Sequence, residues 1–400
     1  MPSSRRTRRA ALLLSVVALL AGCSPTDGPQ AAERAGSSLE ILASLPVGAT
    51  PLPMTIGGRV VETSDAEGRT LYMRQWPGTY FETAFQGPSV VLGIGPGEMH
   101  LAVSVDGGEP LRLLRPEAGD ILLDGLGRGE HAVRVDVINE SQAGPSGFGG
   151  FFAPPGVEPG PLPQRDLRLE FIGDSWTVGY ANASTQHDCD GDTVWITTDT
   201  SRGIAGIVSR ALEADYRVNA ISGRGVVRNY NGGTGDTLPQ AYPYALFGGD
   251  RPAADTQWRP DAVILSLGTN DFSTPLGEGE PWETREALRE DVVATYAAFL
   301  EDLRQRYPEA RLVLWADETN TEVAGAAREA VARREAAGEA RIDFIPVQGL
   351  GLTACHGHPD LADDRLIAEA LVGFLNSHGI RANRKTLRTA PPATSNMGLK

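Results

Sequence analysis

Four short segments carry residues suited to acyl transfer: Gly173-Asp174-Ser175-Trp176-Thr177, Ser222-Gly223-Arg224-Gly225, Gly268-Thr269-Asn270-Asp271 and His356-Gly357-His358-Pro359. A serine hydroxyl attacks a carbonyl only when a base takes its proton and donors hold the developing oxyanion. Ser175 is the candidate nucleophile and His358 the candidate base, with His356 as the alternative base. The backbone N–H groups of Ser175 and Gly223 and the side-chain amide of Asn270 are the candidate oxyanion donors. Gly225 is an alternative to Gly223, since a glycine in such a loop can also serve backbone geometry alone. Asp174 reads as structural, and no catalytic aspartate is assigned. Each segment alone recurs by chance in loops. Their order along the chain is what gives them weight.

Chemistry shared among four distant segments needs a scaffold that brings them to one edge. Leu167–Ile172, Tyr216–Ala220, Ala262–Leu267, Leu312–Ala316 and Ile342–Pro346 predict strands rich in Val, Ile and Leu. Between them, Arg202–Leu212, Glu283–Tyr307, Ala324–Ala337 and Leu361–Leu375 predict helices. That alternation predicts a parallel sheet covered on both faces, a three-layer α/β/α domain over residues 164–379. Active sites of such folds lie at the carboxyl ends of the strands, where the four segments fall. Upstream, the short runs Val90–Ile94, Leu101–Val105, Ile121–Leu123 and Ala132–Ile138 are separated by Gly, Pro and Asp, and several alternate with period two. They predict a jelly-roll-like β-sandwich over residues 47–155. The Pro- and Gly-rich stretch Ala153–Pro163 marks the boundary between the two domains.

With these residues in place, the chain resembles the SGNH hydrolases, also called GDSL esterases, through its Ser175, Gly223, Asn270 and His358 blocks. The stretches Leu169–Asn182, Ile221–Tyr230 and Leu265–Ser273 look like those of the second family of carbohydrate esterases. Trp76–Gly87 and Gly129–Arg134 extend the similarity into the sandwich, so that it covers roughly Gly57 to Leu375. The resemblance implies a serine esterase that deacetylates xylan, glucomannan or related oligosaccharides through an acetyl-enzyme, with no cofactor. Two other readings stand beside it: an SGNH esterase acting on bacterial glycan or short-chain esters, and a non-catalytic glycan-binding lipoprotein. Ser175 lacks the Gly-x-Ser-x-Gly elbow of α/β-hydrolase lipases. The chain departs from many relatives at Cys355, where they carry an aspartate that orients the histidine. The resemblance then implies a Ser-His dyad in which a main-chain carbonyl takes over that role. Trp176 and Trp282 are candidates for a sugar subsite or for core packing.

The N-terminus reads as a targeting segment over residues 1–22. Arg5, Arg6, Arg8 and Arg9 precede the apolar run Ala10–Leu20, too short to span a bilayer, and Leu20-Ala21-Gly22-Cys23 looks like a bacterial lipobox. Cys23 is therefore the expected lipidation site of an exported, membrane-anchored lipoprotein, with residues 23–46 as its linker. Of the three cysteines, Cys189 and Cys355 then remain, and in an oxidising compartment they have one intramolecular pairing available. Two free thiols are the alternative. Zinc held by His187, Cys189, Cys355, His356 and His358 is a further alternative, but it leaves the serine and asparagine segments unexplained. The net charge of −15, from 36 basic and 51 acidic residues, argues against nucleic acid as a partner. A monomer is expected, with residues 380–400 as a disordered tail.

Overall fold

The computed structural model describes residues 38–249, 251–254 and 257–382. The targeting segment 1–22, Cys23 and most of the expected tail lie outside the described residues. No described helix is long and apolar enough to cross a membrane.

A five-stranded parallel sheet, in the order Asp215–Ala220, Arg168–Gly173, Ala262–Ser266, Arg311–Asp317, Ile342–Val347, forms the second half of the molecule. The strand Arg168–Gly173, one place from the sheet edge, is buried on both faces, as parallel strands under helices must be. Leu169 and Phe171 enter one apolar core with Ile204, Val208 and Ile367. Ile172 enters the other, with Val292, Leu300 and Ala327. Helices Ile204–Ala211 and Leu361–Ser377 thus cover one face, and Arg285–Arg306 and Thr321–Ala336 the other. The helix at Arg285 starts where the Thr284 hydroxyl accepts the Ala287 N–H at 3.1 Å.

The first half is two antiparallel sheets packed over a core of Phe81, Leu92, Val135 and Phe148. It extends beyond both expected ends. Ser38–Leu42, within the expected linker, pairs with Gly119–Asp124 as an edge strand, because its unpaired backbone finds a free sheet edge there. Glu158–Pro159, within the expected connector, pairs with Tyr80–Gln86.

The two halves do not part into separate units: the described residues of both group together. Their interface is buried and polar. Trp76 Nε1 donates to the Ala245 carbonyl at 3.0 Å, and the Tyr80 hydroxyl to Asp215 at 2.9 Å. Arg59 lies 3.8 Å from Glu170, a carboxylate buried in the strand Arg168–Gly173, which also accepts from Asn219, Tyr242 and Trp258. Breaking a charge pair this deep leaves an uncompensated ion, so it ties the halves strongly.

Candidate active site

Ser175 opens a short helix, Ser175–Val178, directly after the strand Arg168–Gly173. Asp174 caps that helix, its Oδ1 accepting the Trp176 N–H at 3.1 Å, so the Ser175 N–H points out of the helix start. That N–H has no acceptor among the described residues. The serine is 6% exposed, enough to meet a substrate at a cleft.

His358 Nε2 lies 2.8 Å from Ser175 Oγ, and its Nδ1 lies 3.0 Å from the carbonyl of Cys355. A carbonyl only accepts, so Nδ1 carries the hydrogen and Nε2 is left to take the serine's proton. The position where relatives hold an aspartate therefore contributes through its backbone. Burial pushes the His358 imidazole down to about 4, with the Cys355 carbonyl pulling the other way. At neutral pH the ring is in its base form. Tyr180 packs against it, ring centroids 4.3 Å apart.

The loop carrying His358 is tied at several points. Cys355 is bonded to Cys189, across 166 residues of sequence. His356 takes a left-handed conformation (φ +59°) and turns from the serine: Nδ1 meets the Tyr180 hydroxyl at 3.1 Å and Nε2 the Cys189 carbonyl at 3.0 Å. Those contacts set the alternative base aside. They also spread the five residues weighed as zinc ligands over other partners: the two sulfurs bond each other, and His358 faces serine and carbonyl.

The segments carrying the candidate oxyanion donors lie on the two sides of Ser175, because Gly173 is paired with Ala220 on one flank and Ser266 on the other. Gly223 has φ +81°, a Cβ there would meet only Tyr230 Cβ at an ordinary contact distance of 3.9 Å, and its N–H has no acceptor among the described residues. Gly225 differs. A Cβ there would lie 2.1 Å from the Arg228 carbonyl, and its N–H already donates to Asn229 Oδ1 at 3.2 Å. It serves close packing, which favours Gly223 for the oxyanion. Asn270 Nδ2 donates to the Arg224 carbonyl at 2.9 Å and, more weakly, to Asp174 Oδ2 at 3.3 Å.

Asp271, beside it, was not singled out in the sequence although it stands in the third segment. Its carboxylate accepts the N–H groups of Val226, Val227 and Arg228, each at 2.8 Å, and so grips the loop that begins with Ser222. Burial raises Asp271 to about 6 and Asp174 to about 7, the donors opposing in each case. Tyr180, five residues after the nucleophile, has no spacing rule that could have revealed it. Trp176 packs near Trp315, ring centroids 6.2 Å apart, and Trp282 packs at the core edge while donating to Asp291 at 2.9 Å. Tyr230, 57% exposed, adjoins the Gly223 loop through its N–H to the Gly223 carbonyl at 2.8 Å.

Comparison with known proteins agrees with this layout. Residues 56–163 match the family described as carbohydrate esterase 2 N-terminal, and residues 171–371 match the GDSL-like lipase/acylhydrolase family. An acetylxylan esterase / glucomannan deacetylase of Cellvibrio japonicus is 38% identical over 327 residues, 81% of this chain and 91% of that protein. A solved carbohydrate esterase is 37% identical with a TM-score of 0.78, covering 83% of this chain and 99% of its own. A family two carbohydrate esterase from Clostridium thermocellum, solved with cellohexaose, is 25% identical with a TM-score of 0.70, covering 82% of this chain and all of its own. Both domains, in the same order, are thus shared with these enzymes, and the chain belongs to the second family of carbohydrate esterases, GDSL-type hydrolases that deacetylate carbohydrate.

Proposed function

We propose that this esterase removes acetyl groups from xylan- or glucomannan-type polysaccharide and its oligosaccharides, with Ser175 as nucleophile and His358 as base. The observation that carries the reading is the line of contacts from Ser175 Oγ to His358 Nε2 at 2.8 Å and from Nδ1 to the Cys355 carbonyl at 3.0 Å. Ser175 Oγ attacks the acetyl carbonyl carbon while Nε2 takes the hydroxyl proton. The carbonyl oxygen becomes an oxyanion held by the N–H groups of Ser175 and Gly223 and by the Asn270 amide. Asn270 turns one hydrogen from its long contact with Asp174, whose burial-raised carboxyl competes weakly for it. As the intermediate collapses, the C–O bond to the sugar breaks and the imidazolium protonates the departing hydroxyl. Water, deprotonated by His358, then attacks the acetyl-enzyme. The second intermediate releases acetate, and Ser175 recovers its proton.

The relative from Cellvibrio japonicus supports the polysaccharide assignment. Acetate release from acetylated xylan, acetylated glucomannan, simple sugar acetates and butanoyl or longer esters tests it. Preference for the longer acyl chains would overturn it in favour of a short-chain or lipid esterase. We further propose export and membrane attachment through Cys23, supported by the Arg-rich start, the short apolar run and the Leu-Ala-Gly-Cys sequence. Cys23→Ser should release the protein from the membrane fraction at unchanged specific activity. Persistent membrane association of that variant would overturn the anchor.

A further inference from the structure

Every group that takes part in the chemistry above comes from the parallel-sheet domain, yet the loop carrying Gly223 is held from the sandwich. The strand Glu130–Val137 leaves its sheet into the segment 138–142. There Glu140 Oε2 accepts the Ser222 N–H at 2.9 Å. Gln142 Nε2 donates to the Ser222 carbonyl at 3.1 Å and to Glu140 Oε1 at 3.1 Å. Both main-chain polar groups of Ser222 are thereby gripped by two side chains that steady each other.

The consequence lies in the next peptide plane. The Ser222 carbonyl and the Gly223 N–H belong to one peptide unit, and in a trans peptide they point in opposite directions. Drawing the carbonyl to Gln142 turns the N–H away from the sandwich. The Gly223 carbonyl, held by the Tyr230 N–H at 2.8 Å, fixes the plane that follows. A glycine with φ +81° has little intrinsic preference for this geometry, so the direction of its N–H must be set from outside.

The segment doing this is itself firmly seated. Arg74, buried, donates to the Asn139 carbonyl at 2.8 Å, and Gln75 Nε2 to the Ser141 carbonyl at 2.9 Å. The His100 N–H reaches Asn139 Oδ1 at 2.8 Å, and Thr200 of the other domain donates from its N–H to the Ile138 carbonyl at 2.9 Å. Such backing is what a positioning group needs.

We propose that Glu140 and Gln142 are positioning residues of the esterase: they hold the Ser222–Gly223 peptide with its N–H aimed at the oxyanion, so that the sandwich completes the hydrolase site. This rests on the reading of Gly223 as an oxyanion donor. A donor aimed before the substrate arrives stabilises the transition state without reorganisation, so its loss appears in kcat rather than KM.

The test uses the full-length esterase with 4-nitrophenyl acetate, and methylboronic acid as a tetrahedral, negatively charged adduct of Ser175. Gln142 is exposed, and Gln142→Ala should lower kcat about 10-fold, less than the loss of a whole donor. KM and Tm should stay near wild type, and boronate affinity should fall in step with kcat. Gln142→Glu, which offers the Ser222 carbonyl no donor, should be at least as slow. Glu140→Ala should behave like Gln142→Ala, and Glu140→Gln, which keeps an acceptor for the Ser222 N–H, should recover most of the rate. Unchanged kcat and boronate affinity in Gln142→Ala and Gln142→Glu, or a rise in KM alone, would overturn the proposal even if Glu140→Ala failed to fold. Asn270→Ala and Ser175→Ala run alongside: if they too stay active, it is the underlying reading of the site that has failed.

Discussion

The side of the site proposed to move the proton and the side proposed to face the oxyanion are braced by different chemistry. His358 sits on an irregular loop beyond the sheet, held by a covalent bond, Cys189–Cys355, and by a main-chain carbonyl. The oxyanion side is held by anions: Asp271 gathers three consecutive N–H groups, and Glu140 reaches in from the sandwich. A loop without a strand to hang from needs a staple. A loop whose N–H groups point inward needs a carboxylate beneath them. The first device answers to redox conditions and the second to pH, and the two sides can be perturbed separately.

The largest effect should come from the proton side. Ser175→Ala or His358→Ala should lower kcat/KM by about 10⁴-fold or more, and the double variant should be little worse, since the pair acts as one unit. Retention of over about a tenth of wild-type activity by either single variant would remove the pair from its role. On the other side, Asn270→Ala should slow kcat by about 100- to 1,000-fold with KM nearly constant. A rise in KM alone would make Asn270 a substrate-binding residue.

Separating the braces gives smaller changes. Cys189→Ser with Cys355→Ser should lower Tm and slow kcat by about 10-fold, because small misplacements of a base are costly. Chain-entropy arguments for so long a loop reach about 5 kcal/mol, although measured gains often fall short. Mass spectrometry of a non-reduced digest checks the bond itself. Wild-type rate and Tm in the double serine variant would show that the backbone contacts alone hold His358.

The smallest change is a shift along the pH axis. Burial lowers His358 to about 4, so the base stays neutral well into acid and kcat/KM should fall with a midpoint near there. A midpoint at the ordinary value of about 6.5 would mean that the ring is more solvated than its surroundings indicate. The same displacement bears on stability. Below about 6.5 the unfolded chain takes up the proton first, so stability falls as pH drops from about 6.5 to about 4, and this group contributes no further loss below that. His358→Gln should flatten that part of the curve.

Much of this was legible in the chain because strand and helix periods are long enough to read. The runs at Ala262 and Leu312 became the strands Ala262–Ser266 and Arg311–Asp317, and the Ser175, Gly223 and Asn270 segments stand at strand ends, while the His358 segment lies farther along the loop after Ile342–Val347. What escaped had no period to reveal it. The helices Ser175–Val178 and Thr269–Phe272 span a single turn each. Gly223 and Gly225 look alike in sequence and differ in backbone conformation, in the partner of the N–H and in what stands where a Cβ would be. Glu140 and Gln142 approach from another domain, and no spacing connects them to Ser222. Ser38–Leu42 has the composition of a tether and becomes a strand because an edge is free.

The buried interface has a consequence for how such enzymes diversify. Trp76 reaches Ala245, Tyr80 reaches Asp215, and Arg59 approaches a carboxylate inside the neighbouring sheet. Recombination that cut the gene between the domains would have to replace all of these partners at once, whereas an appendage joined before the first strand or after the last helix would disturb none of them. New specificities in this lineage should therefore arise by fusion at the ends and by change in exposed loops, and the two domains should travel through evolution as one heritable block.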